Sequence, residues 1–133
     1  MAYGDVGGSV TELVITCRTA SADYGPVHIK KGDAVTHLGD YVVTNIVPGK
    51  EQCSVFGQAL VGCEQNDTAI PIKVRGICRF RAVGRRWQTA VATPILLEED
   101  EGGSVTPGYS PEGPNTSHWV LKLRGDGTVD VLL

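Results

Sequence analysis

Residues 70–87 read IPIKVRGICRFRAVGRRW, and the alternation in this stretch decides the fold. Successive side chains of an extended strand point to opposite sides, so Ile70, Ile72, Val74, Cys78, Phe80 and Ala82 fall on one face and Lys73, Arg75, Arg79 and Arg81 on the other. One face calls for a core and the other for water or for acid. Gly76 sits on the apolar face and Ile77 interrupts the charged one, which predicts a bulge or a close backbone approach there. Gly84 then reads as a turn before Arg85, Arg86 and Trp87. Two uses fit such a strand. It is either the half-solvated strand of an antiparallel domain, or a basic docking face with Trp87 as its aromatic anchor.

Working outward, the flanking sequence is a succession of short β-prone runs. Leu13, Ile15 and Cys17 alternate with Glu12, Val14 and Thr16, so 10–17 reads as a first strand, closed by Gly25 and Pro26. In VHIKKGDAV, residues 27–35, Gly32 and Asp33 mark a tight turn, and Gly39 and Asp40 mark a second one leading into 41–47. Pro48 to Lys50 turn the chain, 53–61 puts Val55, Gly57, Ala59 and Val61 on one side, and Asn66 and Asp67 turn into the long strand. Downstream, 118–124 and 128–133 flank Gly125, Asp126 and Gly127 as a closing hairpin, whose Val129, Val131 and Leu133 would pack the C-terminus into the sheet. The acidic run Glu98 to Glu101 and the Gly-, Pro- and Ser-rich residues after it predict an extended loop over 98–115. Residues 1–9 predict a Gly-rich arm that some neighbour would have to hold. The expected architecture is therefore all-β: a small antiparallel barrel or sandwich over 10–133, with an N-terminal arm and a long Gly/Pro-rich loop.

Composition agrees with that class. Of 133 residues, 17 are Gly and 7 Pro while aromatics are 6%, which suits many short strands joined by turns and leaves no place for long helices. A chain of this length buries roughly two thirds of its unfolded surface and needs no staples. The net charge of −3 gives no overall attraction to nucleic acid or anionic membranes, so any basic patch must act locally. Six of the twelve Lys and Arg residues lie between Lys73 and Arg86, and the acidic run lies at 98–101, a segregation that suits either docking between copies or neutralisation within one subunit. No apolar run is long enough to span a bilayer, and MAYGDVGG lacks the basic start and apolar centre of a signal peptide, so synthesis in a reducing cytoplasm is expected.

Catalytic constellations are not expected. Cys17, Cys53, Cys63 and Cys78 form no C-x-x-C pair and have no His at zinc-finger distance, so they read as buried free thiols, with no metal and no cofactor called for. His28, His37 and His118 lack a nucleophile partner in any elbow motif, and Asp33 and Asp40, each beside Gly, are turn residues first. Gly102 and Gly103 lie in an acidic stretch, the wrong charge for a phosphate cradle.

The order of VHIKKGDAV, GDYVV and VFGQALVGCEQNDTAIPIKVRGICRF resembles the small all-β phage proteins that decorate, or cement, icosahedral heads. The matching residues are Gly32, Asp33 and Val35 in a G-D-x-V turn, Gly57, Ala59 and Leu60 in a G-x-A-L segment, and Val74, Gly76 and Ile77 in the long strand, within residues 27–84. That resemblance implies a non-enzymatic virion protein, made in the host cytoplasm and carried on the capsid exterior. Its partners would be the major capsid protein and further copies of itself, as a trimer or dimer, with no membrane or nucleic-acid partner. The segments expected at such interfaces are Tyr3, Val6 and Val10 of the arm; Lys73, Arg75, Arg79, Arg81, Arg85, Arg86 and Trp87 of the basic face; and Glu98, Glu99 and Tyr109 of the loop. A carbohydrate-binding β module, stacking sugars on Trp87, Tyr109 and Trp119, is the alternative.

Overall fold

A computed structural model describes residues 11–44, 54–84, 87, 94–95, 97–99, 101–107 and 118–133. The strands run in chain order as β1 (Leu13–Thr19), β2 (Ala34–Leu38), β3 (Tyr41–Val43), β4 (Gly57–Ala59), β5 (Ala69–Arg75), β6 (Ile77–Arg81), β7 (Pro94–Ile95), β8 (Leu97–Glu99), β9 (Val105–Pro107), β10 (His118–Leu123) and β11 (Thr128–Leu132). Short 3-10 turns lie at Ala22–Tyr24 and Glu101–Gly103. Strands β1, β3, β2, β4 and β5 close a small barrel, while β6, β11, β10 and β7 form a second sheet and β8 pairs with β9. The chain is all-β, as the alternation required.

The stretch 70–81 extends as expected, with Ile70, Ile72, Val74, Cys78 and Phe80 all buried. It is nevertheless two strands in two sheets. Its first half, β5, lines the barrel between β1 and β4; its second half, β6, pairs with β11. Gly76 separates them at φ +115, a backbone conformation that disfavours any side chain. The expected irregularity is also real but displaced: the β1–β5 register jumps from Leu13↔Arg75 to Val14↔Lys73, leaving Val74 as the extra residue.

Each sheet has its own core. Inside the barrel, Val27, Ile29, Val35, Val42, Ala59, Ile70, Ile72 and Val74 pack together. Beneath the second sheet, Cys78, Phe80, Leu97, Val105, Val120, Val129 and Val131 form another cluster. Gly57 shows how tightly the barrel closes, because a Cβ there would lie 2.6 Å from Ile72 Cγ2 and 2.7 Å from the Lys73 carbonyl. The turns carry the residues their backbones need: Gly32 at φ +93 before β2, Gly39 at φ +61 between β2 and β3, and Gly127 at φ +86 in the β10–β11 hairpin. Leu133 completes the C-terminal packing by donating its N–H to the Gly76 carbonyl at 2.9 Å.

Three expectations change. Residues 98–107 are not the start of a loop: β8 and β9 pair antiparallel there, held by Leu97 and Val105, both fully buried. Burial of those two apolar residues outweighs the polar character of the acid run between them. The run expected over 53–61 is ordered as a strand only at β4, since Gly57 and Ala59 are buried while Val61 is exposed. Of the thiols, Cys78 is buried and its pKa is pushed up to about 11 by burial, whereas Cys17 and Cys63 are only half-buried. Cys53, the arm, 108–115 and the second part of the run 41–47 lie outside the described residues.

Candidate docking face

The outward side of β5 and β6 carries the cations that the sequence pointed to, and each is anchored differently. Lys73 extends its Nζ to Glu12 at 2.8 Å and to the Ile77 carbonyl at 2.7 Å, and only 11% of its side chain remains exposed. This lysine ties β1 to the junction between the two sheets. Arg75 is exposed and donates to the adjacent Val74 carbonyl at 2.8 Å.

Strand β6 holds its arginines over buried acids. Asp130 lies opposite Arg79 in the β6–β11 register, accepts from Arg79 Nε at 3.1 Å, and takes Arg124 through Nε at 3.0 Å and Nη2 at 2.6 Å. Its carboxylate is almost wholly buried, a position that only charge-assisted hydrogen bonds make tolerable. Arg81 reaches Asp33 at 3.3 Å and also donates to the Gly102 carbonyl. Asp33 in turn accepts the Lys30 N–H at 2.8 Å, and a side chain at Gly103, which has φ +79, would overlap its carboxyl group. The Gly32–Asp33 turn, the 3-10 turn and β6 are thereby joined. Even so, 54% of the Arg79 side chain and 57% of that of Arg81 stay exposed.

Glu12, Asp33 and Asp130 therefore neutralise part of the basic face from within the same subunit. Beside these arginines the sheet register aligns an apolar row: Ile77 opposite Leu132, and Leu132 opposite Trp119. Trp119 and Leu132 are exposed, and the next row holds Arg79, Asp130 and Lys122. An exposed aromatic and aliphatic pair bordered by arginines and a lysine has the composition of a protein-docking patch.

Trp87 is a correction. It is 7% exposed, belongs to the second core and donates its indole N–H to the Val83 carbonyl at 2.8 Å, so it anchors the sheet rather than presenting an aromatic to a partner. Burial of its large apolar body outweighed the attraction of the basic residues beside it in sequence. Strand β8 places the Glu98 and Glu99 backbones opposite Thr106 and Val105. Tyr3, Val6, Val10, Arg85, Arg86 and Tyr109 lie outside the described residues.

His118 is buried behind Trp119, with Nε2 3.2 Å from the Val55 carbonyl, and burial holds its pKa below the usual histidine value against the partial support of that hydrogen bond. Across the barrel, an open groove of about 780 Å³ lies between Ile29–Lys31 and the 61–65 turn, where Cys63 donates to the Gln65 carbonyl. Among the described residues, no group of three or more His, Cys, Asp or Glu side chains is arranged to hold a metal ion. No protein-family model, curated protein or solved structure matches this chain.

Sequence reasoning overlooked Asp130 and the Trp119–Leu132 pair as parts of one patch. A signal for Asp130 was present: an acid between Val129 and Val131 in a β-prone run requires either solvent or a cation. The alignment of Trp119 with Ile77 came from a pairing between residues far apart in the chain, which no local pattern encodes.

Proposed function

We propose that this protein is a structural docking module of the head-decoration kind, which binds the outside of an icosahedral phage capsid and cements neighbouring major capsid subunits. The observation that carries this reading is the exposed Trp119–Leu132 pair bordered by Arg79 and Lys122 on the outward face of the second sheet. The matched turn-and-strand residues support it as well. Gly32 and Asp33 make the turn that Arg81 clamps, Gly57 allows β4 to lie against β5, and Gly76 divides the two sheets.

Cementing requires no chemistry beyond binding. A module that contacts two capsid subunits adds interface free energy to the closed shell only, so rupture must break those contacts too. The apolar pair supplies affinity once desolvated, and the half-exposed arginines set orientation, since exposed ion pairs contribute only about 0 to 1 kcal/mol each. Many modest contacts on one shell act together through multivalency.

Co-sedimentation with phage heads stripped of accessory proteins tests this directly. The expected result is saturation at a fixed ratio to the major capsid protein, with a raised rupture temperature, and loss of both on Trp119→Ala. Absence of binding at every salt concentration would overturn the reading. The carbohydrate alternative retains Trp119 as an exposed stacking surface, because Trp87 is inside the core. Retention on a glycan array, abolished by Trp119→Ala, would favour that alternative instead.

A further inference from the structure

The outward side of the second sheet presents its cations and withdraws its acids. Asp130 and Asp33 are only 3% and 6% exposed beneath Arg79 and Arg81, whose own side chains are more than half exposed. Asp126, at the tip of the β10–β11 hairpin, is turned onto Thr128, accepting from its N–H at 3.1 Å and from its hydroxyl at 2.6 Å. Lys122 is exposed and, among the described residues, has no carboxylate within ion-pair distance. Asp130, which the register sets opposite it, is already taken by Arg79 and Arg124.

Two backbone details shape this surface. The β10–β11 register skips Leu121, pairing Val120 with Val131 and Lys122 with Asp130, so the extra residue brings Lys122 to the side that carries Trp119. Strict alternation would have aimed Lys122 into the core. On the free edge of β6, side chains of the barrel cover the outward carbonyls: Ile77 accepts from Lys73 Nζ at 2.7 Å, and Arg79 accepts from Gln58 Nε2 at 2.7 Å. An added strand would find those acceptors occupied, which leaves the face rather than the edge for a partner.

We propose that the surface seated on this face is an acidic protein segment with an apolar centre, its apolar side chain lying on Trp119 and Leu132 and its flanking carboxylates meeting Lys122 and Arg79. The inference rests on the docking function proposed for this face and adds the chemistry of the partner. Charge complementarity carries it. A carboxylate arriving at Lys122 gains a cation without displacing another acid, and one arriving at Arg79 meets a guanidinium that shares its single acid with Arg124. A neutral surface would desolvate Lys122 with nothing in return, and a basic one would add repulsion.

Two measurements separate the partner's chemistry from the docking function itself. The first is co-sedimentation with stripped phage heads from low to high salt. Lys122→Glu is expected to weaken binding at least about fivefold at low salt, with the difference shrinking at high salt. Lys31→Glu, an exposed reversal on the barrel, is expected to leave binding unchanged. Lys122→Gln, which adds no repulsion, keeps the test if Lys122→Glu fails to fold. The second titrates the protein with the synthetic peptide Glu-Glu-Leu-Phe-Glu-Glu and with its Gln- and Lys-flanked counterparts, read by the tryptophan emission change that Trp119→Ala removes. The acidic peptide is expected to bind at least about fivefold more tightly than the Gln version, and Lys122→Glu to weaken it.

Head binding indifferent to Lys122→Glu, or Gln- or Lys-flanked peptides that bind as tightly as the acidic one, would overturn the acidic partner and leave the docking function standing. Binding of the acidic peptide without binding to heads would keep the acidic partner and remove the capsid. Binding to neither overturns both. Should the short peptides bind too weakly to measure while heads bind, the head series decides alone. Salt-sensitive retention on duplex DNA, abolished by Lys122→Glu and indifferent to Trp119→Ala, would assign these cations to phosphates and overturn the proposal.

Discussion

The barrel half and the sheet half of the molecule are built from one continuous alternating stretch, yet they use its charges in opposite ways. In β5, Lys73 is folded down onto Glu12 and the Ile77 carbonyl and is nearly lost to solvent. In β6, Arg79 and Arg81 stand over Asp130 and Asp33 and remain more than half exposed. A charged strand face therefore has no fixed meaning. Where the cation itself is buried, as Lys73 is between Glu12 and the Ile77 carbonyl, the charge becomes an internal tie. Where the acid lies beneath the guanidinium, the cation is held in place and still presented.

The sharpest way to break this comparison is at the junction. Gly76→Val forces a β-branched residue to φ +115 and places a Cβ 3.0 Å from Lys73 Cε and 3.2 Å from Glu12 Cγ. We expect a loss of about 3 kcal/mol in unfolding free energy by urea denaturation, with both halves affected together. A loss under about 1 kcal/mol would mean that the two sheets are not held in register through this residue.

The two arginines on Asp130 offer a finer distinction. Arg124 makes the two-pronged contact and is the less exposed, so Arg124→Ala is expected to cost about 2 kcal/mol, against about 0.5 kcal/mol for the half-exposed Arg79→Ala. Equal costs would show that exposure does not discount the Arg79 pair.

The gentlest probe is pH, acting on the sheet half through His118. Its pKa is lower in the folded protein than in the unfolded chain, so the folded state binds fewer protons as pH falls. Its contribution is fully present above the ordinary histidine value of about 6.5 and is lost below it as the pH drops through the folded pKa. Unfolding free energy should therefore decline between neutral and mildly acidic pH by no more than about 1.4 kcal/mol per pH unit from this group. The decline should be shallower in His118→Asn, which keeps a donor for the Val55 carbonyl without titrating. An unchanged slope in that variant would assign the acid sensitivity to other groups.

Much of the fold can be read along the chain because the governing rules are local. The period of two in 70–82, the Gly–Asp turns at 32–33 and 39–40, and the Gly125–Gly127 hairpin each follow from backbone sterics and side-chain alternation within a few residues. The docking patch was only half visible for the same reason. Arg79 and Arg81 stand out in β6 by themselves, but Trp119 and Leu132 join them only through strand pairing. Trp87 misled because adjacency to Arg85 and Arg86 in sequence carries no information about which way an indole turns.

By itself, then, the sequence determined that this chain is all-β, where its principal turns lie, and which face of its central stretch is apolar. Tertiary structure decided that the central stretch is shared between a barrel and a second sheet, that Trp87 is core, that 98–107 pairs rather than loops, and that Asp33 and Asp130 are the acids beneath the arginines. Alternation and turn chemistry act over two to four residues, whereas these outcomes depend on which distant strand arrives alongside, and that is settled by burial summed over the whole domain.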